Sequence, residues 1–172
     1  MAIYALGELV PQIDPTAFIH PDAVIIGDVV IGAKSSVWPC AVLRGDTGRI
    51  LVGGSTSIQD GAVIHCTHEA HTTIGDRVTI GHNVHIEGAT VESDTLIGSG
   101  AVLLHHVIIR SRALVAAGAV VKERTEVPSN ALAVGVPAKI KLDAVVDGAF
   151  DWNVNTYLNN VEIYSRDLRR LD

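Results

Sequence analysis

Aromatic side chains are scarce in this chain: two Phe, two Trp and three Tyr among 172 residues that are 48% hydrophobic. The apolar mass is therefore Val, Ile, Ala and Leu, which suits stacked strands better than a mixed core. Cysteine is almost absent too. Cys40 and Cys66 make no disulfide framework and read as two reduced thiols. No Lys/Arg run occurs and the formal net charge is −6, so the clustered cations that neutralise phosphates are missing and nucleic acid is not expected as a partner. No stretch approaches the ~20 apolar residues of a membrane helix. The opening MAIYALGELVPQIDP lacks the basic start and unbroken apolar centre of a signal peptide. These absences lead to the expectation of a cytoplasmic protein without membrane attachment. Its length suits one domain over about 1–140 and a tail over about 141–172.

What is present is a period. Aliphatic residues recur every six positions at Ile19, Ile25, Ile31, Val37 and Leu43, then Val52, Ile58 and Ile64, then Ile74, Ile80 and Ile86. After a one-residue shortening the series runs Val91, Ile97, Leu103, Ile109, Val115 and Val121. Small or β-branched residues follow four positions later, as at Ala23, Ala41, Ala62, Val84 and Ala101. A period of six fits neither a 3.6-residue helix nor a hairpin meander. It suits a short strand and turn repeated identically, three units to a coil. Seventeen units predict nearly six coils, ~4.8 Å apart. Glycines such as Gly32, Gly53, Gly75, Gly81 and Gly98 follow the inward aliphatic residues, where a turn or close packing favours them. Beyond the solenoid, Val154, Leu158, Val161 and Leu168 predict an amphipathic helix over roughly 151–171, lying along the prism or on a neighbouring subunit. The fold class is all-β, a parallel β-helix followed by one α-helix.

The period breaks three times: three extra residues between Leu43 and Val52, four between Ile64 and Ile74, and one missing between Ile86 and Val91. In a repeat chain, insertions map to loops that often carry function. Counting in threes stacks Leu43, Ile64 and Ile86 on one wall. Arg44, His65 and Glu87, one residue later, then form an outward column with rungs ~4.8 Å apart, close enough for two side chains to reach one ion. His82, two residues after Ile80, belongs to another wall and joins them only if a second prism stands alongside. The expected metal site is therefore shared: His65 and Glu87 from one chain, His82 from the next.

Three stretches, AVLRGDTGRI, SIQDGAVIHCTH and TIGHNVHIEG, closely resemble the γ-class carbonic anhydrases, and the likeness spans about residues 10–140. The repeats, ended by NALAVGVPAKIKL, resemble the left-handed β-helix superfamily, which implies the hand of the coil and a homotrimer. The resemblance implies a site of Arg44, Asp46, Gln59, Asp60, His65 and His82, and hydration of carbon dioxide to bicarbonate at an intersubunit zinc, or another divalent metal such as iron or cobalt. Gln59 is then expected to orient the nucleophile, with Arg44 and Asp46 holding the interface and the surroundings of the metal. The family pattern G-H-x-x-x-x-H-G places a third histidine where this chain has Glu87. Two histidines and a carboxylate are a recognised catalytic zinc set. Carboxylate donation leaves bound water less acidic, so weak activity is expected. The alternative is a metal-free site with Glu87 paired to Arg44 or a histidine of the same column. His85 is expected at a different point of the turn, where it does not substitute for the missing ligand. RGDTGRI is too short to hold the acidic proton-shuttle loop of the best-known active members, and fast turnover is not expected.

The remaining polar residues receive plainer readings: His68, Glu69 and His71 form an exposed loop, His105 and His106 fill a turn, and Trp38 packs in a subunit interface. Two rival functions stay open. One is a hexapeptide acyltransferase or thioesterase acting on acyl-coenzyme A. The other is a non-catalytic trimeric assembly or bicarbonate-binding module.

Overall fold

Each six-residue unit folds as a short strand and a corner, and successive units build three walls. The computed structural model describes residues 2–172. Among them are twenty strands and one helix, α1 (Asp151–Asp167). Two walls form a 12-stranded sheet, joined because the strands Val24–Ile31 and Val42–Val52 run across both; the third wall is a separate 8-stranded sheet. The pairing is parallel from coil to coil until Leu132–Val134 turns back antiparallel against Lys139–Lys141 and ends the third wall.

The six-residue aliphatic series is the core. Ile25, Leu43, Ile58, Ile64, Ile80, Ile86, Ile97 and Leu103 are completely buried, with Ala23, Ala41, Ala62 and Ala101 filling the corners between them. The solenoid makes about seven coils rather than nearly six. Ala2–Tyr4 and Gln12–Ile13, which precede the first aliphatic repeat, add strands that pair with Val24–Ile31.

The glycines after the inward aliphatics serve close packing. A Cβ on Gly53 would stand 2.6 Å from the Gly75 carbonyl carbon and 2.4 Å from Asp76 Oδ1. The corners themselves often use other residues in the left-handed region, among them Arg77, Asn83, Asp94 and His106 at φ 56–59°. The first insertion is not a loop: residues 44–49 continue the strand Val42–Val52, with a register shift opposite Gly27 and Val29.

Helix α1 lies on the third wall. Its first residue, Asp151, accepts from Arg77 at 2.5 Å, and Arg77 also pairs with Asp94 at 2.7 Å. Val154 is the helix residue that is fully buried. Trp38 therefore does not await a neighbouring subunit, because the chain's own helix covers it: its ring lies 5.5 Å from Tyr157, 5.0 Å from Tyr164 and 5.4 Å from Phe18. Its indole N–H donates to Ser36 Oγ at 2.9 Å and Ser57 Oγ at 3.0 Å.

Candidate functional site

The register pairs Arg44 with His65 and His65 with Glu87, so the column expected from the spacing stands on adjacent rungs of one wall. His65 is its centre, with a side chain 15% exposed. Its Nδ1 faces Glu87 Oε1 at 3.2 Å, and its Nε2 faces Asp46 Oδ1 at 2.9 Å. The Arg44 guanidinium pairs with the other oxygen of Asp46, within one chain. Thr72 fixes the backbone behind both side chains: its hydroxyl donates to the His65 carbonyl at 2.5 Å and accepts from the Gly88 N–H at 3.0 Å.

Burial works to raise the Asp46 carboxyl, but the hydrogen bonds from His65 and Arg44 and the Arg44 charge outweigh it and hold it at about 2. Burial likewise opposes ionisation of Glu87, and the His65 hydrogen bond with the charges of His105, His65 and His85 more than offsets it, leaving that carboxyl below its ordinary value. Burial, aided by the Asp46 charge, pushes the Cys66 thiol up to about 11, so a thiolate beside His65 is disfavoured.

Two neighbours of Glu87 escaped the sequence reading. His85 is not on a turn; it shares the strand His85–Glu87 two residues before Glu87, and its Nε2 lies 3.6 Å from Glu87 Oε2. His105 does sit in a turn, as expected, yet its Nε2 lies 3.6 Å from Glu87 Oε1. Counting did not reveal it: the short unit between Ile86 and Val91 stacks Ile86 on Leu103, so His105 falls one residue beyond the Glu87 column and reaches the carboxylate from its turn.

Gln59, Asp60 and His82 gather at a different corner. Asp60 Oδ2 is 3.0 Å from His82 Nδ1, and both side chains are half exposed; Gln59, one residue after Ile58, is buried beside them. This corner leads into the strands Val63–His65 and His85–Glu87, whereas His65 and Glu87 end those strands. The seven expected residues thus stand in two clusters at opposite ends of the strands of one wall, with Val42, Val63 and His85 paired on the rungs between them. Among the described residues, no three His, Cys, Asp or Glu side chains of the single chain converge as a metal site.

His65 and Glu87 are paired at hydrogen-bond distance, the same-column pairing expected of a metal-free site, and that distance also lies close to the spacing of two metal ligands. Two ligands with ~2.0–2.2 Å bonds at a tetrahedral angle stand about 3.3–3.6 Å apart, and His65 Nδ1 and Glu87 Oε1 are 3.2 Å apart. With Nδ1 given to an ion, Nε2 carries the proton and donates to Asp46, the carboxylate–histidine arrangement that fixes a metal-binding ring. No helix among the described residues is long and apolar enough to cross a membrane.

Comparison with known proteins agrees with this architecture. The family model for the bacterial transferase hexapeptide (six repeats) matches residues 11–45 and 71–102, and that for the hexapeptide repeat of succinyl-transferase matches 88–123. The mitochondrial gamma carbonic anhydrase 2 of Arabidopsis thaliana is 40% identical over 165 residues, covering 91% of this chain and 59% of its own length. This chain therefore spans less than two thirds of that plant relative. The carnitine operon protein CaiE of Escherichia coli K12 is 38% identical over 139 residues, 81% of this chain and 71% of its own. A Bacillus cereus crystal structure named for an acetyltransferase superposes with a TM-score of 0.91 at 32% identity, over 95% of this chain and 96% of its own.

Proposed function

The chain belongs to the γ-carbonic-anhydrase-like family of left-handed β-helix, hexapeptide-repeat proteins, and from that premise we propose a weak, metal-dependent hydration of carbon dioxide at a site shared between chains of a homotrimer. The observation that carries this reading is the pair of contacts on His65, with Glu87 at ligand spacing on one nitrogen and Asp46 as hydrogen-bond acceptor on the other.

His65 and Glu87 of one chain, with His82 of the next, would hold the metal. Asp46 positions the His65 ring through Nε2–H, and Arg44 holds Asp46. Gln59 and Asp60 accompany His82, and Gln59 would orient the reactant. When bound, a divalent ion such as zinc would supply the Lewis acidity for hydrating carbon dioxide near neutral pH. The charge on Glu87 reduces that acidity relative to three neutral imidazoles, which makes turnover slow.

Two half-sites on opposite edges of one wall suit a head-to-tail ring, because the edge that ends with His65 on one copy can meet the edge that carries His82 on the next. Metal content and carbon dioxide hydration, measured for the wild type and for Glu87→His, test the proposal. One metal per chain with slow hydration, rising in Glu87→His, is expected. A trimeric wild type that takes up no zinc, iron or cobalt contradicts it. The acetyltransferase named for the Bacillus cereus neighbour gives a second reading some weight; a thermal shift on adding acetyl-coenzyme A would favour that reading.

A further inference from the structure

Asp46 also borders an open cleft of about 530 Å³, whose walls come from Leu9, Asp28, Arg49, His68 and His71 over a floor of Thr47 and Gly48. Both long insertions in the hexapeptide period build it, and they are locked to each other. The Thr47 hydroxyl donates to the Cys66 carbonyl at 2.9 Å, and a Cβ on Gly48 would stand 2.4 Å from the Thr67 carbonyl oxygen. The Arg49 backbone N–H donates to His71 Nδ1 at 3.0 Å. That bond fixes the neutral tautomer of His71, whose proton must then sit on Nε2 as a free donor.

Arg49 bonds Asp28 through Nε alone, at 2.9 and 3.1 Å. Its terminal nitrogens make no hydrogen bond among the described residues, and its side chain is 49% exposed. His68 is exposed and likewise unbonded among those residues. The acceptors nearby are engaged: Asp28 by Arg49, and Asp46 by Arg44 and His65. What the cleft has left to offer is a planar guanidinium fork and imidazole N–H groups, the donor set that suits a planar oxyanion. Leu9 is the single large apolar side chain in it, which leaves little to hold a long acyl chain.

We infer that this cleft binds a small planar oxyanion, either bicarbonate or the carboxylate of a short organic acid. The site goes beyond the hydration reading and does not depend on a metal at His65. The test titrates the purified protein with ¹³C-bicarbonate and separately with ¹³C-acetate, following ligand line widths and the imidazole protons of His68 and His71. Saturable broadening with movement of both imidazoles is expected. Loss of a charge-assisted hydrogen bond in Arg49→Gln should weaken binding about tenfold or more. His68→Gln removes no structural contact and should weaken it severalfold, while chelator-treated wild type binds as the untreated protein does. A response to bicarbonate alone identifies the inorganic anion as the source, and a response to acetate as well identifies carboxylates generally; either supports the inference. Wild-type binding by both cleft variants, loss of binding on chelation, or no saturable response to either anion overturns it. A protein that takes up no metal yet binds the anion sinks the hydration reading and leaves this one standing.

Discussion

Replacing Asp46 by Asn keeps the side-chain shape and removes the charge that both Arg44 and His65 address. A carboxyl lowered from its ordinary 3.8 to about 2 reflects roughly 2 kcal/mol of preference for the charged form, at ~1.36 kcal/mol per pH unit. Arg44 is 45% exposed, so solvent screening trims this to about 1–2 kcal/mol. The folded value lies below the unfolded one. The stabilisation is therefore present in full above pH 3.8 and is lost as pH falls towards 2. Urea unfolding of chelator-treated wild type and Asp46→Asn, at one protein concentration because the oligomer's stability depends on it, should differ by about 1–2 kcal/mol at pH 7. The gap should narrow steadily between pH 4.5 and pH 3. Equal stability at pH 7, or a gap that stays constant down to pH 3, would refute the assignment of Asp46 as the carboxylate that Arg44 and His65 hold.

Other consequences concern the solenoid. Thr79 Oγ1 is buried without a hydrogen-bond partner among the described residues, so Thr79→Val should be neutral or stabilise by up to about 1–3 kcal/mol, read as a rise in Tm. Thr56 Oγ1 donates to the Gly75 carbonyl at 2.7 Å and accepts the Val78 N–H at 3.1 Å; Thr56→Val should therefore lower Tm, and the opposite order for the two variants would contradict the hydrogen-bond assignment. Gly53→Ala forces a methyl into the Gly75 backbone and should cost about 1–3 kcal/mol or more in urea unfolding. A variant as stable as wild type would show that the coils can separate there.

The wall carrying His65 and Glu87 was legible because a side chain in a solenoid is located by counting repeat units, and their pairing followed once units rather than residues were counted across the insertion after Ile64. Asp46 was foreseen as part of the site, but not its bond to His65. That contact depends on residues 44–49 crossing a corner as extended strand, a path set by a register shift against Gly27 and Val29 that no period encodes. His105 was not within reach of that counting, because the register stacks Ile86 on Leu103 and leaves His105 one residue past the Glu87 column, where only the path of its turn brings it to the carboxylate. Trp38 was misplaced for another reason. An indole on an outer wall needs cover, and only the course of α1 decides whether that cover comes from the same chain or another.

The central claim is that one half-site completes another across a chain boundary, and hybrid trimers measure it directly. His65→Ala and His82→Ala chains, each trimeric and each deficient in metal alone, are mixed, dissociated and reassembled, and metal per trimer is then counted. If the halves are complementary, each boundary at which an intact His65 edge faces an intact His82 edge regains one ion, and the hybrids bind metal in proportion. If every mixing ratio stays as empty as the parents while wild-type chains treated identically recover their metal, the shared site does not exist.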